Sequence, residues 1–112
     1  MDVEREVAAK LAEETGMRVL LEVPEARPAE FVSVELTGGG GRFAGTLTLA
    51  VQSWAMTRRR AAEIAGLVRD AVPALEDLPN VFAPVAASTY RWPDPESKQK
   101  RYQTTVELTV CE

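Results

Sequence analysis

Residues 31–52 carry the pattern that most constrains this chain: two runs with a period of two, joined through four consecutive glycines. In the first run Val32, Val34 and Leu36 oppose Phe31, Ser33, Glu35 and Thr37. In the second, Phe43, Leu47, Leu49 and Val51 oppose Ala44, Thr46, Thr48, Ala50 and Gln52. Successive side chains of a strand point to opposite faces, so each run reads as a strand with one face on a core. Gly38, Gly39, Gly40 and Gly41 supply a tip that tolerates any turn conformation, and the whole predicts an antiparallel hairpin.

Helical periods flank it. Val3, Val7 and Leu11, with Ala8 and Ala12, form one stripe over residues 2–15. Asp2 suits the N-cap, Glu4 the first turn, and Gly16 the left-handed residue that ends the helix. Met17 to Val23 reads as a short buried strand, followed by a loop between Pro24 and Pro28. Thr57 caps a second helix whose stripe is Ala61, Ile64, Ala65, Val68, Ala71, Val72 and Leu75, kinked or ended by Pro73. Residues 76–84 read as a loop, Val85 to Trp92 as a strand, and Pro93 to Lys100 as a polar connection. Tyr102 to Val110 closes the chain as a strand, with Thr104, Val106, Leu108 and Val110 opposite Gln103, Thr105, Glu107 and Thr109. No repeat of solenoid length is visible. The order predicts one α+β domain over 1–112: a mostly antiparallel or mixed sheet of about five strands with two helices packed on it.

Composition narrows the function. With 112 residues, 46% apolar and 27% charged, the chain reads as one ordinary globular domain rather than a disordered one. It has no histidine and one cysteine, Cys111. That excludes an internal disulfide, a cysteine metal framework, imidazole metal sites and histidine-dependent triads. Gly39, Gly41 and Ala44 partly match a dinucleotide fingerprint, but they lead into a strand where that motif needs a helix N-terminus. Asp94 and Glu96 are two oxygen donors, too few for a cation site. Ser33, Ser53, Ser88 and Ser97 lie in no nucleophile elbow. The expectation is a protein that is not an enzyme and takes no metal or other cofactor. No apolar run reaches membrane-span length, and MDVEREV is unlike a signal peptide, so a cytoplasmic chain is expected.

The net charge of −4 is unevenly spread. Residues 1–40 hold nine acids and four bases, whereas residues 41–60 hold four arginines and no acid. Two basic stations result: Arg58, Arg59 and Arg60, and then Lys98, Lys100 and Arg101. The arginine triplet occupies the first turn of a helix, where the dipole disfavours positive charge. It reads either as a solvated turn offset by acids such as Glu63, or as an interface where a basic surface meets an acidic one on the next subunit. Direct DNA contact is a third reading, weakened by the acidic remainder. Trp54 and Trp92 read as core-edge packing or as interface anchors.

Three stretches carry a resemblance: Phe31 to Gly39; Leu47 to Ala55 running into the alanine-rich helix Ala61 to Ala71; and Pro93-Asp94-Pro95 followed by Arg101 to Leu108. In pattern and order the chain resembles the tail terminator and related tail-completion proteins of long-tailed bacteriophages and prophages. The resemblance implies a structural virion protein, assembled in the bacterial cytoplasm, that forms a ring, commonly a hexamer, on the head-proximal end of the tail tube. The ring ends tube polymerisation and presents a surface to the head connector; its partners are copies of itself, the tube protein and the connector protein. No enzymatic activity, cofactor or membrane is implied, and DNA contact is at most incidental. Neck and other minor tail proteins share this outline and remain the alternative. The expected interface comprises Trp54, Arg58, Arg59, Arg60, Trp92, Lys98, Lys100 and Arg101. Gly38 to Gly41, Arg42, Asp94 and Glu96 are expected in loops that reorder on docking.

Overall fold

The computed structural model describes residues 2–39, 44–93 and 98–111. Helix α1 (Val3–Thr15) leads to the short strand β1 (Val19–Leu20) and then to the hairpin β2 (Phe31–Gly39) and β3 (Ala44–Ala55). Helix α2 (Arg58–Ala71) continues as a 3-10 helix (Val72–Asp77), and β4 (Val81–Arg91) and β5 (Lys100–Cys111) close the chain. The strands form one sheet in the order β1-β2-β3-β5-β4, parallel between β1 and β2 and antiparallel elsewhere. This is the expected α+β architecture. No helix among the described residues is long and apolar enough to cross a membrane.

Both helices pack on one face of the sheet. Val7 and Leu11 of α1 and Ile64 and Val68 of α2 join Val32, Val34, Leu49, Val51, Val106 and Leu108 in a single core. The caps follow the local chemistry. Asp2 Oδ1 accepts from the Arg5 N–H (3.2 Å), Thr57 Oγ1 accepts from the Arg60 N–H (3.2 Å), and Gly16 takes φ 71°. Lys10 ties α1 to the 3-10 helix through Asp77 (3.5 Å) while pairing with Glu14 (3.4 Å). Partial burial opposes its charge, but Glu14, Glu13 and Asp77 outweigh it and raise its pKa.

Several expectations are corrected. Only Val19 and Leu20 of the stretch Met17 to Val23 form a strand, and Leu21 and Val23 are exposed; β1 is an edge of the sheet formed by the described residues. Gly38 and Gly39 pair with Thr48 and Leu47 as part of β2, after a bulge that follows Leu36. Gly40 to Arg42 lie outside the described residues, as do Asp94 and Glu96. Pro73 ends α2 by turning the chain into the 3-10 helix instead of a loop.

β4 begins four residues earlier than its sequence reading. Leu78-Pro79-Asn80-Val81 makes the turn into it, with Asn80 at φ 67° and the Val81 N–H donating to Leu78 O (3.3 Å). Pro84 is accommodated because β4 is the sheet's other edge and shifts register between Phe82 and Val85.

Two glycines give opposite expectations. A Cβ on Gly16 or on Gly66 meets nothing within 4 Å, so only backbone terms act. Gly16→Ala should lose about 1 kcal/mol, because L-residues strain at this positive φ. Gly66→Ala, inside α2, should gain up to about 1 kcal/mol. Urea unfolding of the two variants checks both signs.

Candidate assembly interface on the open sheet face

The face of the sheet turned away from the helices carries two transverse rows of side chains at the end where α2 begins. Alternation places Phe31, Ser33, Gln52, Trp54, Arg101 and Gln103 there, since their neighbours Val32, Val51, Ala55 and Tyr102 belong to or pack on the core. The first row is built from π-systems. Phe31 stacks on Trp54 (5.5 Å between centroids, 6° apart), and the Arg101 guanidinium lies 4.9 Å from the Trp54 ring and 4.2 Å from that of Trp92. Arg27 adds a second cation at 5.1 Å from Trp54. Cation–π contacts contribute about 0.5–1 kcal/mol where exposed, as at Arg27 and Trp92, and more where the ring is buried, as at Trp54.

The second row is polar and directional. Ser33, Gln52, Gln103 and Tyr90 are register partners across β2, β3, β5 and β4. The Trp54 indole N–H donates to Ser33 Oγ (3.0 Å), and the Ser33 hydroxyl donates to Gln52 Oε1 (3.1 Å). Gln52 Nε2 donates to Gln103 Oε1 (3.1 Å), and Gln103 Nε2 donates to the Tyr90 hydroxyl (2.7 Å). An indole can only donate, so Trp54 fixes the sense of the whole chain. Its outer end is the Tyr90 hydroxyl, on a half-exposed side chain. Ser33, Gln52 and Gln103 are all under 10% exposed although no helix covers them.

Three contacts close the connection between β1 and β2 over this end. Arg60 Nε donates to Glu30 Oε2 (2.8 Å), and Gln99 Nε2 donates to Pro28 O (2.7 Å) and Ala29 O (3.2 Å). Arg27 lies over Trp54 as above. The hydrogen bond to Glu30 and that carboxylate's charge raise the Arg60 pKa further, with Glu63 at 3.7 Å adding to the effect.

The rest of this face is exposed along β4. Phe82, Val85, Tyr90 and Trp92 lie on it in one line, 51%, 54%, 45% and 42% exposed. Ala86 packs on the core and Thr89 meets Thr104, which turns their neighbours outward. Four large apolar side chains are thus exposed along one edge strand, with Ser88 between Val85 and Tyr90. The backbone edge itself is interrupted by Pro84, by two register shifts and by Ala83 at φ 51°, which discourages simple strand addition. A partner on this edge therefore meets side chains.

The structure redistributes the expected interface residues. Trp54 is 1% exposed and unreachable by a partner, because Phe31 and two arginines cover it. Arg60 is engaged by Glu30 and Glu63, and Arg101 is laid between two indoles while donating to Trp92 O (2.8 Å). These three act within the subunit. Arg58, Arg59, Trp92, Lys98 and Lys100 are exposed. Phe82, Val85 and Tyr90 were not singled out; Val85 and Tyr90 fell within the expected strand, whereas Phe82 joins it only because the Pro79-Asn80 turn starts the strand early.

Compared with known proteins, the chain matches no protein-family model and has no significant similarity to a curated protein. Fold and surface together define a small α+β domain with one covered and one open sheet face.

Gln52→Leu should leave the Ser33 hydroxyl and Gln103 Oε1 without partners and cost about 1–3 kcal/mol in urea unfolding. Tyr90→Phe, at the exposed end of the row, should cost less than about 1 kcal/mol.

Proposed function

We propose that the chain is a structural subunit of a phage virion tail, assembling with copies of itself into a ring that caps the head-proximal end of the tail tube. In this reading the ring stops further addition of tube subunits and presents its other side to the head connector. The observation that carries the proposal is the exposed line Phe82, Val85, Tyr90 and Trp92 on an open sheet face. An isolated subunit leaves that surface in water, whereas a neighbour removes it.

The charge layout agrees with a repeated, head-to-tail contact. Arg58, Arg91 and Lys100 lie at one end of the strands, while Glu76 and Asp77 precede β4 at the other. A contact between these two ends of successive copies is heterologous, and such contacts close into rings when the rotation allows. The resemblance to tail terminators in the three stretches quoted above supplies the tail as the setting.

Light scattering across a concentration series, followed by negative-stain imaging, tests the assembly. Val85→Glu should keep the fold, read by circular dichroism, and abolish rings, because it puts a charge on the surface to be buried. A variant that still forms rings like the parent would overturn this use of the edge. With no histidine in the chain, association should vary little between pH 6 and 8 while weakening as salt rises. Tubes polymerised from the same phage's tube protein should stop at capped ends when the chain is present. Uncapped tubes would transfer the ring to the neck or another part of the tail.

A further inference from the structure

Beyond the polar row from Ser33 to Tyr90, the open sheet face becomes a trough. Its floor is short: Ala50 lies between Glu35 and Thr105, and Thr48 pairs with Glu107. Val85, opposite Glu107, and Phe82 stand exposed along β4 on one side. Leu21 and Val23 stand exposed on the other, over a groove of about 380 Å³ that also meets Glu22, Glu35 and Gln52. From β2 to β4 the floor spans about 14 Å at the usual strand spacing, and a helix with its side chains is about 10 Å across. The charge of the trough has one sign. Glu22, Glu35 and Glu107 are exposed, and among the described residues no Lys or Arg nitrogen lies within 4.0 Å of their carboxylates. No Lys or Arg of the described residues stands in these rows.

Helix α2 carries the complement. Arg59, Ala62, Gly66 and Arg69, spaced by three, four and three residues, form one stripe turned from the core with no acid in it. A Cβ on Gly66 would meet nothing within 4 Å, so no contact inside the chain calls for a glycine that weakens the helix. What the glycine leaves is room for another backbone to come close. Leu67 beside it is exposed, and Glu63 and Asp70 border the stripe, Glu63 paired with Arg60 at 3.7 Å. The other helix is a poor match, because the exposed side of α1 sets Glu13 and Glu14 against Arg5 and holds no glycine. We propose that the trough seats α2 of a second copy of the chain, with Gly66 on the floor at Ala50 and Arg59 and Arg69 reaching the trough's carboxylates. The proposal rests on the assembly reading above and names the element that covers the exposed edge. α2 packs on one face of the sheet and the trough lies on the other, so the contact is heterologous and each copy holds one neighbour while docking on the next.

Size and charge test the contact separately. Gly66→Gln should raise the urea midpoint of the dilute, monomeric chain, since glutamine favours the helix. The same change should weaken self-association about tenfold or more by light scattering, because the longer side chain holds the backbones apart. Glu35→Lys/Glu107→Lys, and separately Arg59→Glu/Arg69→Glu, should each keep the circular dichroism of the parent and lose about tenfold or more in association. An equal mixture of these two variants, or all four changes in one chain, should return to within about threefold of the parent, since opposite charges again face each other.

Gly66→Gln assembling like the parent, or reversed charges that do not rescue one another, would overturn α2 as the occupant. If Val85→Glu still blocks assembly in that case, the assembly reading stands without this contact. A parent that stops at dimers untouched by Gly66→Gln would show two open faces paired with each other, and would overturn the proposal. A parent that stays monomeric at every concentration would overturn this contact and the ring together.

Discussion

Trp54 is the residue on which the open half of the structure depends. It stands on the sheet face that no helix covers, yet it is fully buried. A large apolar ring on a bare face is stable only if something else excludes water, and here Phe31, Arg27 and Arg101 do so. Its N–H in turn needs an acceptor, and Ser33 provides one. From that single donor a chain of hydrogen bonds runs across four strands to Tyr90. The stack and the polar row link neighbouring strands on this face, as the apolar core does on the other. They also fix the connections at this end, because Arg101 donates to Trp92 O and Gln99 binds the backbone of Pro28 and Ala29.

Rigidity at one end leaves the surface chemistry to a few positions. Arg60 and Arg101 are taken up by contacts within the chain, whereas Arg58, Arg59, Arg91, Lys98 and Lys100 are exposed at this end. β4 contributes the apolar part of the same surface while its irregular backbone resists edge pairing. An edge that is sticky through side chains and blunted through its backbone favours a defined neighbour over open-ended sheet growth. That distinction matters for a chain whose proposed function is to assemble and then stop.

Much of the fold was legible because local chemistry and burial agree. The caps at Asp2, Thr57 and Gly16, the helical stripes and the alternation of β2, β3 and β5 all follow from short-range rules. The failures fall where neighbours in space decide. Met17 to Val23 is apolar enough for a strand, but at the sheet edge only two residues find a pairing partner. Pro84 argued for a loop, and an edge position with a register shift made it part of a strand. At the candidate interface the residue types were readable and their directions were not. Arginine and tryptophan look alike on paper whether they face a partner or each other.

The sequence by itself determined an α+β domain with one amphipathic sheet, two capped helices and no histidine chemistry, because side-chain period, capping and composition act over a few residues. Only the tertiary structure decided which arginines are spent inside the subunit, and that Trp54 is sealed while Trp92 is open. It alone placed Phe82, Val85, Tyr90 and Trp92 in line. Those outcomes depend on which strands become neighbours and which face a connection crosses, and such contacts join residues tens of positions apart.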